Sequence, residues 1–577
     1  MLGVDGEVRV LLLHPEFPMT FWSFKSVLDL VGKAALNPPL GLITVAAILP
    51  QHWEFKLVDC AIRPPTEAEW AFADIVLMTG MIVQKPSMMA LISESHRRGK
   101  AIAVGGPYAT SVPQDFEEAG ADYLVLDEGE ITIAPFVDHL TTQGIQRRAA
   151  GQAAVRFGAK GEKPDLTETP VPRFDLLEMR KYDAMAVQFS RGCPFLCEFC
   201  DIITLYGRRP RTKTNAQVLA ELQRLEELDW RGGVFLVDDN FIGNKPNVKK
   251  LLPELLKWQQ EHGFPFWFDT EASIDLAADT ELLAVMCACN FGSVFIGIET
   301  PDEASLKLTR KHQNNRVPML TSLETITRSG LRVMCGMIIG FDNEEKGAGQ
   351  RIVDFAEAAN IPTVLLSMLQ VLPNTGLWTR LEKEGRLLEG VGTINQTDLI
   401  NFVPTRPVEE IAAEYVLAYQ TLYDPSAYLE RTYRHFRALG LNPPFAPPPV
   451  VAAPRRARSS ARLLWLGLIG SLRNSRAAVV VIWRQGVVRK TRRAFWRNLF
   501  AIRRVNPTRL ATYVAICAQA EHFIAYSAEI VEQMTLKIAA AKTARAAGVA
   551  SPVAVAGKGA PPRLVAKRES ASQKLDA

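Results

Sequence analysis

Three cysteines, Cys193, Cys197 and Cys200, lie in the run Arg191-Gly192-Cys193-Pro194-Phe195-Leu196-Cys197-Glu198-Phe199-Cys200, a C-x3-C-x2-C spacing. The spacing supplies three thiolates, one short of the four that close a structural zinc site. Cysteine thiolates are the usual ligands of iron–sulfur clusters, and a four-iron cluster held by three of them keeps one iron open to a small molecule. A zinc knuckle or a chance group of buried thiols is the plainer alternative. The flanks argue against it. Residues 187–190 read as a strand end, and residues 215–228 carry apolar side chains at helical spacing.

Acids recur at the ends of apolar runs further on. Asp238-Asp239-Asn240 follows residues 234–237, Glu271 follows 266–268, and Glu299 closes 294–298. Gly336 and Gly340 fall on the run 333–339 and its end, and Gln370 follows 364–369. With residues 186–189 these runs make six strands alternating with helical stretches. In parallel barrels the working groups gather at the strand carboxyl ends. Any one acid could be an ordinary cap, as Asp302 and Glu303 are read at a helix start. A series at consecutive strand ends points to a site.

The elements upstream form another unit. Residues 8–13, 55–58, 75–78, 101–104 and 123–126 are five short apolar runs, each followed by turn residues or a helical stretch, and residues 40–49 are helical. That pattern implies a parallel sheet covered by helices on both faces. Ligands of such sheets sit beyond the strand carboxyl ends. The loops there are Thr79-Gly80-Met81-Ile82-Val83-Gln84, Gly105-Gly106-Pro107-Tyr108 and Asp127-Glu128-Gly129-Glu130. No G-x-G-x-x-G follows the first strand, so the dinucleotide fingerprint is missing.

The 577 residues are 48% hydrophobic and 22% charged, the make-up of a globular chain of two to four domains. Eight cysteines are too few for a disulfide scaffold, and Cys60, Cys287, Cys289, Cys335 and Cys517 sit in apolar stretches as buried thiols. Free thiols beside a candidate cluster place the chain in a reducing cytoplasm. No signal peptide opens it and no run of 18 apolar residues predicts a membrane span.

The net charge of +4 hides an asymmetry: residues 431–510 hold 18 Lys or Arg and no Asp or Glu, leaving the rest at −14. Residues 391–440 read as helical and 442–454 as a proline-rich break. From Trp483 to Ile502 arginines alternate with apolar residues, and Trp465, Trp483 and Trp496 add aromatics. A basic amphipathic helix with tryptophan reads as a membrane-surface element. A structural cap on an acidic barrel and, less favoured, a nucleic-acid contact are the rival readings. The tail from about 541 is rich in Ala, Lys, Pro and Ser and reads as disordered.

Gly192-Cys193-Pro194, Phe199-Cys200-Asp201-Ile202, Leu205-Tyr206-Gly207, Val237-Asp238-Asp239-Asn240-Phe241-Ile242-Gly243-Asn244, Gly297-Ile298-Glu299-Thr300-Pro301 and the Asn37-Pro38-Pro39-Leu40-Gly41-Leu42 turn together resemble one family. It is the cobalamin (B12)-binding radical SAM proteins with an extra C-terminal helical domain, a group that includes hopanoid methylation. The resemblance spans about residues 5–535. It implies an α/β fold: a Rossmann-like cobalamin-binding domain at 1–145, a connector at 146–185, a partial (β/α)6 radical SAM barrel at 186–390, and a mainly α-helical domain at 391–540.

The resemblance also implies cofactors and roles. Cys193, Cys197 and Cys200 would hold a [4Fe-4S] cluster whose open iron chelates S-adenosylmethionine. Asp238 and Asp239 would contact its amino group, Glu299 its ribose or carboxylate, Arg310 its carboxylate, and Phe199 with the fifth-strand backbone at Gly336 and Gly340 its adenine, with Glu271 a further contact at the third strand's end. Base-off cobalamin would lie on Gly80, Met81, Gln84, Gly105, Gly106, Glu128 and Gly129, with its lower face near residues 80–84. The D-x-H-x-x-G motif of cobalamin mutases is absent, so no histidine is offered through it. Tyr206 is the candidate residue lining the substrate. The implied reaction methylates an unactivated carbon of a small or lipid-like molecule, with a flavodoxin or ferredoxin as electron donor. A non-methylating radical oxidation or cyclisation, or a cofactor-binding sensor, is the alternative. Peripheral attachment to the inner face of the membrane would follow from the basic helices.

Overall fold

Alternate residues of Arg9–His14 (β1) are buried on opposite faces of one sheet. Val10 and Leu12 join a layer with Leu42, Ala46, Ile133 and Phe136, while Leu11 and Leu13 join another with Trp70, Met88, Ile92 and Phe116. A strand covered on both sides needs apolar residues at both parities, which is why the run is continuous. The computed structural model describes residues 7–149, 151–316, 318–388, 394–440 and 478–546.

Glu54–Asp59 (β2), Ile75–Thr79 (β3), Ala101–Gly105 (β4), Tyr123–Val125 (β5) and Val155–Phe157 (β6) complete this first sheet, in the order β2-β1-β3-β4-β5-β6 and all parallel. β6 lies within the stretch read as a connector; three largely exposed edge residues carry no burial pattern. β1 has β2 on one side and β3 on the other. The winding therefore reverses between β1 and β3, and such a switch point opens a crevice at the strand ends.

The second sheet begins with Ala184–Val187 (β7). A short antiparallel ribbon, Ser190–Arg191 (β8) with Arg211–Thr212 (β9), then encloses the cysteine loop. Gly232–Leu236 (β10), Phe266–Glu271 (β11), Phe291–Glu299 (β12), Arg332–Ile339 (β13) and Val364–Met368 (β14) follow side by side in chain order, all parallel. The six barrel strands match the six apolar runs. The ribbon, two residues a side, carries no such signal.

β14 is an edge, and an edge must satisfy its peptide groups. Tyrosines do so here. Tyr419 Oη donates to Leu366 O at 2.9 Å; Tyr423 Oη donates to Val364 O at 2.6 Å and accepts from Val364 N at 3.0 Å. They come from the helix Val408–Leu422 and its end. The long helix Leu510–Ala546 packs beside it and inserts Phe523, 4.7 Å from the ring of Phe21 and 4.9 Å from Tyr423. His522 Nε2 donates to Phe21 O at 2.9 Å. The C-terminal helices thus pin the loop after β1 against the barrel.

The basic segment divides between two roles. Arg431, fully buried, donates to Ile361 O at 2.7 Å and pairs with Glu357; Arg509 donates to Gly330 O at 2.8 Å; Arg489 pairs with Glu521 at 2.7 Å. Arg431 and Arg509 cap the barrel, and Arg489 ties the basic segment to the last helix. The single helix expected over 483–502 is broken: a π turn at Arg484–Val488 precedes a separate helix, Arg492–Val505. The break changes the phase. Phe495 and Ile502 face the protein, while Val479, Trp483, Val487, Val488, Phe500 and Val505 face outward with Arg484, Lys490, Arg492, Arg493, Arg503 and Arg504. The proline-rich break, Trp465 and the tail beyond 546 lie outside the described residues; the helix expected to end near 540 runs to Ala546. No described helix is long and apolar enough to cross a membrane.

Candidate functional site

The cysteine loop hangs on hydrogen bonds from its peptide N–H groups to two aspartates. Asp238 accepts from Ser190 N, from Ser190 Oγ at 2.5 Å and from Phe189 N at 3.2 Å; Asp239 accepts from Gly192 N at 2.7 Å. Both carboxylates therefore fix the segment just before Cys193. Burial pushes the Cys193 and Cys200 thiols up, while the N–H groups of Phe195 and Ile202 pull the other way. Cys193 feels the charge of Cys197, and Cys200 feels both others, so the three thiols lie near enough to interact. Among the described residues no three His, Cys, Asp or Glu are arranged to hold a single metal ion. A cluster is larger and takes thiols that stand farther apart.

Next to the loop lies a buried polar group inside the barrel. Glu299, at φ 68°, ends β12 and forms an ion pair with Lys311. Gly297 makes room for it: a Cβ there would sit 2.3 Å from Glu299 Oε1 and 2.6 Å from Lys311 Nζ. Lys311 Nζ also lies 6.0 Å from the centre of the Phe199 ring, and the Glu299 and Cys197 charges hold its pKa up against burial. Gln313 Nε2 reaches to 3.7 Å from Cys197 Sγ, and Asn314 Nδ2 donates to Ile298 O at 2.9 Å. Burial first, then the neighbouring acids, raises Glu271 to about 7. Burial likewise raises Asp238 to about 7 and Asp239 to about 6.

Two cavities meet above the switch point. The first, about 430 Å3, runs from His14, Gly80, Met81 and Gln84 past Gly105, Gly106, Glu128 and Gly129 to Arg191, Leu205 and Tyr206 of the barrel. It continues as a slot down one face of the first sheet, between Val45, Ile48, Leu77, Ile133 and Phe136. Gly106, at φ 88°, packs on Thr79 so closely that a Cβ would fall 2.0 Å from its Oγ1. The second cavity, about 1310 Å3, is mostly apolar and lies between Phe17 and Trp22 of the loop after β1 and Phe199, Ile338, Met368 and Leu369 of the barrel. His14, Phe17 and Met81 border both.

Residues 32–137 match the B12 binding domain, residues 187–356 the radical SAM superfamily and residues 375–535 a domain of unknown function, DUF4070. An uncharacterized methyltransferase of Synechocystis sp. is 55% identical over 91% of this chain and 93% of its own length. The hopanoid C-2 methylase of Rhodopseudomonas palustris is 34% identical over 90% of this chain and 94% of its own. The chain belongs to the cobalamin-dependent radical SAM methyltransferases. Its fold is shared with OxsB, a cobalamin-dependent S-adenosylmethionine radical enzyme solved with aqua-cobalamin: TM-score 0.54, 14% identity, 95% of this chain and 82% of that one covered.

This membership brings three cofactors: a [4Fe-4S] cluster, S-adenosylmethionine and cobalamin. The residues present fit them. Cys193 and Cys200 each receive an N–H donor, Lys311 lies near the three thiols, and a strand-end crevice with a deep side slot suits a planar macrocycle with a long tail. The seven residues expected at cobalamin, Gly80 through Gly129, all line the first cavity.

Other placements differ from expectation. Tyr206 lines the first cavity and not the second, because the ribbon turns its segment toward the first sheet. Asp238 gives both its oxygens to Phe189 and Ser190, whereas Asp239 gives only Oδ2, to Gly192 N. Gly340 faces Ile400, whose Cδ1 would lie 2.7 Å from a Cβ there, and its N–H donates to Glu344 Oε2 at 2.6 Å. Gly336 packs on Phe295. Arg310, at φ 59°, is exposed, and the cation that meets Glu299 is Lys311. Lys311, Gln313 and Asn314 are new to the site; their only sequence signal is the polar run Lys311-His312-Gln313-Asn314-Asn315 after a helix.

Proposed function

We propose that this chain methylates an unactivated carbon of a lipid-like, hopanoid-type molecule held in the second cavity. The observation that carries the reading is the size and apolar lining of that cavity, bounded by both domains and by Phe199 of the cluster loop. The hopanoid C-2 methylase relative supports the same substrate class. When bound, the cluster and S-adenosylmethionine supply a hydrogen-abstracting radical, and cobalamin supplies the methyl group.

The chain's own residues position these partners and exclude water. Cys193, Cys197 and Cys200 hold the cluster, with Lys311 placing a positive charge beside its thiolates. Asp238 and Asp239 keep the loop rigid, and Phe199 walls both the cluster side and the substrate side. Glu271 and Glu299 face the space for S-adenosylmethionine. The slot beside Ile48 and Phe136 would take the nucleotide tail of a cobalamin bound base-off. Tyr206 stands where the first cavity meets the cluster loop. A flavodoxin or ferredoxin would supply the electrons to the cluster. The outward apolar and basic face of residues 479–505 rests on the inner leaflet, where a hopanoid-type substrate resides.

The test is anaerobic turnover of the reconstituted full-length protein with S-adenosylmethionine and a lipid extract from a deletion strain. The expected products are 5′-deoxyadenosine, S-adenosylhomocysteine and a lipid heavier by one methyl group. 5′-Deoxyadenosine with no S-adenosylhomocysteine would replace methylation by another radical outcome. A methylated product confined to the water-soluble fraction would overturn the lipid reading.

A further inference from the structure

Each of the three cysteine sulfurs of the loop meets an N–H donor, and one donor is unlike the other two. The peptide N–H of Phe195 serves Cys193, and that of Ile202 serves Cys200. Cys197, the most buried of the three, takes its donor from a side chain: Gln313 Nε2 lies 3.7 Å from its Sγ.

Gln313 is only 4% exposed and comes from the turn His312–Asn315, just beyond the ion pair of Glu299 with Lys311. Asn314 holds that turn to β12, its Nδ2 donating to Gly297 O at 3.1 Å and to Ile298 O at 2.9 Å. The segment leading into the turn is held to the cysteine loop as well, through Glu198 N donating to Thr309 O at 2.9 Å. Gln313 is thus fixed from both sides against Cys197.

A cluster-bound thiolate accepts hydrogen bonds and has no proton to give, so the Gln313 amide presents its NH2 group to the sulfur. Reduction adds one electron, and with it one negative charge, to the cluster. That charge strengthens the hydrogen bond, so the donor favours the reduced state. Two of the three donors are peptide groups that almost any residue supplies. The third exists only because residue 313 carries a side-chain amide.

We propose that Gln313 is a positioning residue that acts through Cys197: its N–H···S hydrogen bond raises the reduction potential of the cluster. It thereby eases the one-electron reduction that precedes cleavage of S-adenosylmethionine. A low-potential donor protein loses the electron and the cluster gains it; no proton moves and no covalent bond of the protein changes. The inference rests on Cys193, Cys197 and Cys200 holding the cluster.

The test is a redox titration of full-length protein with its cluster reconstituted, read by paramagnetic resonance of the reduced state without substrate or turnover. Gln313→Met keeps the length of the side chain and removes the donor. Gln313→Lys keeps the length and restores an N–H donor. At a fixed poise near the wild-type midpoint, the ratio of reduced to oxidised cluster should fall about tenfold in Gln313→Met, the weight of one hydrogen bond. In Gln313→Lys it should return to the wild-type ratio or exceed it. A midpoint unchanged in Gln313→Met would overturn the proposal. So would an equal fall in both variants, which would mark a packing effect. Where a variant fails to fold, wild-type protein made with glutamine labelled with 15N in its side-chain amide decides the matter. Spin-echo modulation of the reduced cluster should show the 15N nucleus, and its absence would overturn the hydrogen bond. Iron analysis and the four-iron spectrum, taken first, separate a failure here from a failure of the cysteines to hold a cluster.

Discussion

Arg191, two residues before Cys193, is ion-paired at 2.9 Å with Glu128, which heads the helix walling the first cavity. Arg191 also pairs with Glu130 at 2.9 Å, and Arg211 reaches Glu128 at 2.8 Å from across the ribbon. The loop that carries the three cysteines is thereby joined to a loop that lines the first cavity, through charges almost wholly out of water. Glu128 thus acts through this network as well as lining the cavity.

Removing one partner of a buried pair strands the other. Glu128→Gln should destabilise the protein by about 3 kcal/mol and lower the cobalamin retained after gel filtration. Thermal unfolding and the corrin absorbance check both. An unchanged midpoint with full cobalamin would deny the coupling between the two loops.

Serine at Cys193, Cys197 or Cys200 should each cost the cluster while sparing the first domain. Iron and sulfide analysis should fall at least about tenfold, since serine oxygen is a poor cluster ligand, and cobalamin uptake should persist. A zinc-loaded wild type without a four-iron spectrum would contradict the assignment of the cysteines.

Glu271 makes the apoprotein sensitive to pH. Folded, it keeps its proton up to about 7, whereas an unfolded glutamate ionises near about 4. The stability it contributes is complete below the unfolded value and is lost as pH rises through the folded one. Glu271→Gln removes this loss. The variant should gain on the wild type by on the order of 1–3 kcal/mol between acid and neutral pH. Parallel unfolding curves for the two apoproteins would show that the carboxyl does not titrate in place.

The outward face of residues 479–505 should bind anionic vesicles at low salt. Each basic residue near such a surface contributes about 1 kcal/mol. The variant Arg492→Glu/Arg493→Glu/Arg503→Glu/Arg504→Glu should lose more than about tenfold in cosedimentation with phosphatidylglycerol vesicles. Truncating the chain after about 440 is not the right control, because Phe523 and Tyr526 of the last helix belong to the core. Wild-type protein that ignores these vesicles would leave the face without a lipid role.

Much of this molecule was legible in its residues alone. The cysteine spacing is local, so the chemistry of the loop needs no tertiary information. The apolar runs of both sheets are equally readable, because a strand buried on two faces shows itself as an unbroken stretch. The strand-end loops at Gly80, Gly105 and Glu128 followed from the rule that parallel sheets bind ligands at their carboxyl ends.

What needed the tertiary structure is whatever depends on a pairing distant in sequence or on a phase that slips by one residue. His14 meets Asp59, and Asp59 meets Tyr182, only because β1 and β2 lie side by side in parallel register and the barrel entry packs against them. Lys311 rather than Arg310 faces Glu299 because a left-handed residue at 310 turns the chain by one position. The basic helix divides at a π turn, which leaves Phe495 and Ile502 inward and Trp483, Val487 and Val488 outward. Composition set the charge of that segment. Packing decided which arginines brace the barrel or the last helix and which remain in solvent, because only the fold brings Glu357, Glu521 and the carbonyl of Gly330 within reach.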